Sequence, residues 1–241
     1  MANRNKNNRS QKIINENTPF AVIEAYKSTR TSIIFANVED GCNVIAFTSS
    51  APGEGKTVTC INMAISLAES GKKILLIDSD MRKPQVAPSL QLMRTPGLSE
   101  VLSGVVDIDA PEVPFVQHTP YENLDIIAAG AIPPNPAELI ACKRTEKLFE
   151  KMRTMYDYIL IDTPPCLVVT DALLYKKYVM GYVGVIRANV SRVDTTAKLV
   201  ERLNQIDARI IGFILNDKIN KSENYKRYNS YEKHSKSHNY N

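Results

Sequence analysis

The stretch Thr48-Ser49-Ser50-Ala51-Pro52-Gly53-Glu54-Gly55-Lys56-Thr57 constrains the fold more than any other part of the chain. It follows the apolar run Asn43-Val44-Ile45-Ala46-Phe47 and precedes a helical pattern through Leu67. That order reads as strand, phosphate loop, helix. Glycines in such a loop let backbone N–H groups approach phosphate oxygens, a lysine reaches the β and γ phosphates, and a Ser or Thr hydroxyl ligates Mg²⁺. A helix starting near Lys56 adds the positive end of its dipole. The candidate nucleotide contacts are therefore Pro52, Gly53, Glu54, Gly55, Lys56, Thr57 and Val58. Ser50 stands where the general G-x-x-x-x-G-K-[ST] pattern has its first glycine.

At 241 residues with 44% hydrophobic content, the chain can bury a large core and fits one α/β domain. No run of ~18 apolar residues is present to span a bilayer, and the Asn-rich, basic residues 1–12 do not read as a signal peptide. A cytosolic protein is expected. Cys42, Cys60, Cys142 and Cys166 lie too far apart for a metal pattern and read as free thiols. The net charge of +4 divides unevenly: residues 1–12 carry +4, residues 218–241 carry +4, and residues 13–217 carry 20 basic against 24 acidic side chains. Two basic ends around a mildly acidic body argue against a nucleic-acid-binding face on the folded part.

Along the chain, strands and helices alternate. A basic leader is expected over 1–18 and a folded unit over 19–217, opening on a helix from Pro19 to Phe35. On that helix Glu24, Lys27 and Arg30 form one charged stripe, able to pair internally or with a neighbouring subunit. A helix from Val58 to Ser70 ends at Gly71, where a left-handed stop is expected. The aliphatic run Ile74-Leu75-Leu76-Ile77 reads as a strand buried on both faces. Asp78 and Asp80 emerge at its carboxyl end, where open α/β sheets bind ligands. Residues 85–121 are less regular, with a short helix at Leu98–Leu102.

A strand at Leu124–Ala128 leads to a Pro-rich turn in which Asn135 should cap a helix with Pro136 at its first position. That helix runs to Ile140, and a second follows from Thr145 to about Met155. Tyr158-Ile159-Leu160-Ile161-Asp162 repeats the strand-then-acid pattern of a Walker B segment, whose carboxylate holds Mg²⁺. Strands at Tyr182–Ile186 and Ile210–Leu215 flank a helix from Asp194 to Gln205 with Thr195, Thr196 and Glu201 outward. The whole predicts a P-loop NTPase fold, a mostly parallel sheet with helices on both faces. The last 24 residues lose the apolar pattern yet hold Tyr225, Tyr228, Tyr231 and Tyr240 in a flexible tail, four of the chain's eleven tyrosines.

With these motifs together, the chain resembles the bacterial tyrosine kinases of capsular and exopolysaccharide synthesis, in the stand-alone cytosolic form of Gram-positive organisms. The resemblance covers nearly the whole chain. It rests on the P-loop, on D-x-D-M-R-K-P (Asp78 to Pro84), on D-T-P-P (Asp162 to Pro165), on the P-P-N-P turn and on the terminal tyrosines. The Glu24 stripe is similar to the family's E-x-x-R-x-x-R oligomerisation motif, with Lys27 in place of the first arginine. It keeps the charge and loses the bidentate geometry.

The resemblance implies an ATP- and Mg²⁺-dependent protein-tyrosine kinase. Lys56 and the loop amides would hold the phosphates, while Thr57, Asp162 and Asp78 would position the metal. Asp78 or Asp80 would receive the tyrosine proton. Asn216, at the end of the last strand, occupies the place where related ATPases contact adenine, although an Asn there also suits a turn. The tail tyrosines would be phosphorylated in trans within a ring of subunits, an octamer among the sizes the resemblance allows. The implied partners are a transmembrane adaptor of the polysaccharide co-polymerase type at the inner face of the membrane, a cognate tyrosine phosphatase and protein substrates, with no nucleic acid.

Two other classes share these motifs. Partitioning and division-site ATPases carry a signature lysine just after the first P-loop glycine, where this chain has Ala51. A non-catalytic ATP-dependent scaffold needs the same fold and differs in leaving its tyrosines unmodified.

Overall fold

A computed structural model of the chain describes residues 12–36, 42–110 and 112–217. Among the described residues seven strands form one sheet: β1 (Asn43–Ser49), β2 (Ile74–Asp78), β3 (Gln117–His118), β4 (Leu124–Ile127), β5 (Tyr158–Asp162), β6 (Gly181–Arg187) and β7 (Ile210–Asn216). Their spatial order is β3-β4-β2-β5-β1-β6-β7, with every pairing parallel except that of the two-residue β3 with β4. The helices are α1 (Phe20–Ala36), α2 (Lys56–Ala68), α3 (Val86–Leu90), α4 (Leu98–Ser103), α5 (Pro136–Ala141), α6 (Lys143–Arg153) and α7 (Val193–Asn204), with a 3₁₀ helix at Asp171–Lys177. The P-loop NTPase fold class expected from the pattern is the one formed.

Alternating apolar residues of the central strands feed three core clusters. Ile45, Phe47, Leu76 and Leu160 face α1, α2 and α3. Val44, Leu75, Ile77, Ile159 and Ile161 face α4, α5, α6 and the 3₁₀ helix, while Ala46 and Tyr182 pack under α7. Parallel strands buried on both faces need this near-continuous apolar composition. The packed region starts before Pro19: Ile13 and Ile14 are buried, and the Ile14 N–H donates to Asn62 Oδ1 at 3.0 Å.

Two local expectations are corrected. Asn135 precedes α5 but makes no side-chain cap; its amide donates to Glu138 Oε2 at 2.5 Å. The Glu138 carboxylate in the first turn of the helix holds the Asn135 side chain instead. Thr195 and Thr196 are partly exposed, their hydroxyls donating back to the Arg192 carbonyl at 2.8 and 3.1 Å, and Glu201 is exposed. Residues 85–121 contain α3 and β3 besides the expected helix. No helix among the described residues is long and apolar enough to cross a membrane.

Candidate active site

Strand order builds the site. β2, β5 and β1 are adjacent, so the phosphate loop after β1, Asp162 at the end of β5 and Asp78 at the end of β2 share one carboxyl edge. Asp78 pairs in register with Asp162, and Asp162 with Phe47. On the other side, Arg187 of β6 pairs with Asn216 of β7, placing Asn216 beside the loop.

The loop turns through Gly53 and Gly55 at φ 86° and 89°, a region that L side chains rarely adopt. Gly55 is also the residue before α2, and no side chain caps that helix, so its first amides remain available to phosphate oxygens. A Cβ on Gly55 would lie 1.8 Å from Asn216 Nδ2, whose amide donates to the Glu54 carbonyl at 3.1 Å. Asn216 thus braces the loop from behind. Pro52 and Gly53 are exposed, while Val58 packs against the core beneath α2.

Glu54 behaves differently from a phosphate contact. Its side chain is buried and accepts from the Ser50 hydroxyl at 2.8 Å, from the Ala51 N–H at 2.9 Å and from the Ser191 hydroxyl. Arg187 donates to the Gly53 carbonyl at 3.3 Å and pairs with Asp217 at 2.6 Å. The Glu54 carboxylate therefore fastens the loop to the β6–α7 connection, a role that neither Ser191 nor Arg187 betrays in local sequence.

Lys56 Nζ lies 2.5 Å from Asp162 Oδ1, and the Thr57 hydroxyl donates to Asp162 Oδ2 at 2.8 Å. Burial works against the Lys56 charge, but Asp162, Asp80 and Asp78 hold its pKa above the ordinary value. Burial followed by the Asp162 charge pushes Asp78 up to about 8, against the lowering effect of the Val86 N–H and Lys56. Burial likewise raises Asp162, with Lys56 opposing. Two fully buried carboxylates thus lie near one ammonium, which pairs directly with Asp162 alone, an electron-rich donor set that fits a divalent cation.

Among the described residues no group of three or more His, Cys, Asp or Glu side chains could hold a metal on its own. Mg²⁺ is usually held by one or two carboxylates together with substrate phosphates and water. Asp80 is less buried than Asp78 and accepts the Lys83 N–H at 3.0 Å.

Of the helix α1 stripe, Lys27 pairs with Glu24 at 2.8 Å, whereas Arg30 turns inward and donates to the Ser66 carbonyl at 2.5 Å. Tyr225, Tyr228, Tyr231 and Tyr240 lie outside the described residues. All four cysteines are free.

A parallel sheet with a phosphate loop after β1 and acids closing β2 and β5 defines a P-loop NTPase. The AAA domain family matches residues 42–220. The tyrosine-protein kinase YwqD of Bacillus subtilis (strain 168) is 37% identical over 206 residues, covering 85% of each chain. The tyrosine-protein kinase wzc of Salmonella typhimurium is 36% identical over 210 residues, which are 87% of this chain but 29% of that longer one. The solved kinase domain of the Escherichia coli tyrosine kinase ETK superposes with a TM-score of 0.78 at 31% identity, covering 88% of this chain and 85% of that one. The chain belongs to the bacterial tyrosine kinases.

Proposed function

We propose that this kinase transfers the γ-phosphoryl group of ATP to tyrosines of its own 218–241 tail, in trans between subunits, and so regulates capsule or exopolysaccharide synthesis and export. The observation that carries the reading is the meeting of Lys56, Thr57, Asp78 and Asp162 at one sheet edge beneath a glycine-turned phosphate loop. Four tyrosines in the last 24 residues supply acceptors within the same chain.

In this reading the amides of Gly53 to Thr57 and the Lys56 ammonium hold the phosphates. Thr57, Asp162 and Asp78 would hold Mg²⁺, which neutralises charge on the phosphate oxygens. Asp78 or Asp80, the two acids at the carboxyl end of β2, takes the tyrosine proton or orients the hydroxyl. The phenolic oxygen attacks the γ-phosphorus and ADP leaves. Asn216 serves the adenine side of the site. Outward Glu24 and Lys27 on α1 would exchange partners with a neighbouring subunit in a ring. A membrane adaptor holds the ring at the inner face of the membrane, and a tyrosine phosphatase reverses the modification.

Incubation of the purified chain with Mg-ATP, with and without the adaptor's cytoplasmic fragment, tests this by phosphotyrosine detection and mass spectrometry. Phosphate on the tail tyrosines is expected, with none in Lys56→Met or in a variant carrying Phe at positions 225, 228, 231 and 240. ATP binding without any phosphotyrosine would make the chain a scaffold instead.

A further inference from the structure

Arg82 belongs to the D-x-D-M-R segment, yet neither phosphate binding nor proton transfer accounts for it. Its guanidinium forks onto Asp171, with Nε donating to Oδ2 at 2.8 Å and Nη2 to Oδ1 at 3.2 Å. Asp171 is 1% exposed and opens the 3₁₀ helix Asp171–Lys177. One turn further along that helix, the buried Tyr175 hydroxyl receives the Ser79 hydroxyl at 2.7 Å. Tyr175 itself is fixed by edge packing against Phe149, with ring centroids 6.0 Å apart. Ser79 is anchored on its backbone as well, its N–H donating to the Asp162 carbonyl at 2.9 Å.

The turn from Ser79 to Lys83 is therefore held at both ends, and Asp80 lies between the two anchors. Within the turn, Asp78 Oδ1 accepts the Asp80 N–H at 3.2 Å and Asp80 Oδ1 accepts the Lys83 N–H at 3.0 Å. These local bonds shape the turn but do not fix where it sits relative to the phosphate loop. The contacts to the 3₁₀ helix and to β5, together with the burial of Met81 in the core, tie the turn to the rest of the sheet edge.

We infer that Arg82, Asp171 and Tyr175 are positioning residues for phosphoryl transfer: they strap the Asp78–Asp80 turn to the segment after β5, setting both carboxylates against the phosphate loop. The inference rests on the kinase reading. A planar, two-point guanidinium–carboxylate pair fixes direction as well as distance, which a single hydrogen bond does not. In-line transfer is sensitive to such placement, since a displacement of about 1 Å costs on the order of a hundredfold in rate.

Initial autophosphorylation rates against Mg-ATP concentration, with thermal melting in parallel, test the strap under conditions that give phosphotyrosine in the parent chain. Arg82→Gln and Asp171→Asn should each lower kcat by about tenfold while leaving KM for ATP within about threefold, because the phosphate loop is untouched. Arg82→Lys should fall between, keeping the charge without the fork. Tyr175→Phe should lose a few-fold.

The double variant Arg82→Gln/Asp171→Asn leaves no buried charge unpaired, so it should melt near the parent temperature yet be no slower than the worse single variant. Full kcat in a folded double variant overturns the inference. So does a parallel loss of kcat, ATP affinity and melting temperature across the series. An Asp171→Asn chain with full kcat beside an impaired Arg82→Gln would assign Arg82 to substrate contact and also overturn it. A parent chain that makes no phosphotyrosine overturns the kinase reading itself.

Discussion

Ser50 departs from the general phosphate-loop pattern, and the structure gives that departure a use. A glycine there would bring no hydroxyl to the buried Glu54 carboxylate, which takes donors from Ser50, Ala51 and Ser191. Hydrogen bonds to a charged group contribute about 1.5–3 kcal/mol each, and Glu54 is only 2% exposed. Glu54→Gln puts an amide donor where only acceptors are wanted. It should destabilise the chain by about 2 kcal/mol and weaken ADP binding about tenfold, as read by melting and titration calorimetry. Gly55→Ala should be worse for binding. It forces a side chain into φ 89° and into Asn216 Nδ2, so calorimetry should detect no ADP at concentrations that saturate the parent. Binding by Gly55→Ala at parental affinity would mean that the loop closes differently around the nucleotide.

At the scale of the element, what was legible in sequence is what local pattern determines. β1, β2 and β5 are buried along nearly their whole length and are written mainly in apolar residues, and β2 and β5 each end on an acid of the site. Helix α3 was not legible because its start is fixed from a distance: Asp78 Oδ2 accepts the Gln85 and Val86 N–H groups at 3.0 and 2.9 Å. The 3₁₀ helix was missed for a similar reason, its fixed points Asp171 and Tyr175 being tied to residues about ninety positions earlier. β3 is two residues long, too short for alternation to show.

Helix α4 carries a contact that pH should reveal. Glu100 accepts the Gly97 N–H at 2.9 Å and the Ala131 N–H at 2.9 Å, joining the start of α4 to the turn after β4. Burial tends to raise its pKa, but the Ala131 and Gly97 amides outweigh this and hold it below the ordinary glutamate value. A depressed folded pKa gives stability that is complete above the unfolded pKa of about 4.3 and is lost as pH falls through the lower folded value. Glu100→Gln should therefore cost about 1 kcal/mol at neutral pH, a figure already discounted for the partial exposure of the carboxylate. Denaturant melts should show the gap between parent and variant closing below about pH 4. A gap that does not narrow at all as the pH falls below the unfolded value would mean that Glu100 acts by packing alone.

For the molecule as a whole, the site was legible as a set of parts but not as an assembly. The sequence shows a loop, three acids and a lysine; only the order β2-β5-β1 explains why Asp78 and Asp162 end on the same edge as Lys56. The larger asymmetry is of charge. Residues 13–217 carry a net −4, and residues 218–241 hold Lys218, Lys221, Lys226, Arg227, Lys233 and Lys236 against Glu223 and Glu232, a net +4. In the proposed cycle a basic tail is drawn to the acidic, ATP-loaded site of a neighbour. Each phosphotyrosine adds about −1.5 to −2, so four bring the tail to roughly −2 to −4 and turn attraction into repulsion. Association steered by such charges falls as salt rises, with a screening length of about 10 Å at 0.1 M. Replacing the six basic residues by Gln should therefore slow autophosphorylation at low ionic strength and flatten its salt dependence, while leaving ATP affinity at the P-loop unchanged. A variant whose rate and salt slope match the parent's would remove charge from the cycle and leave sequence-specific docking of the tyrosines as the cause of tail capture.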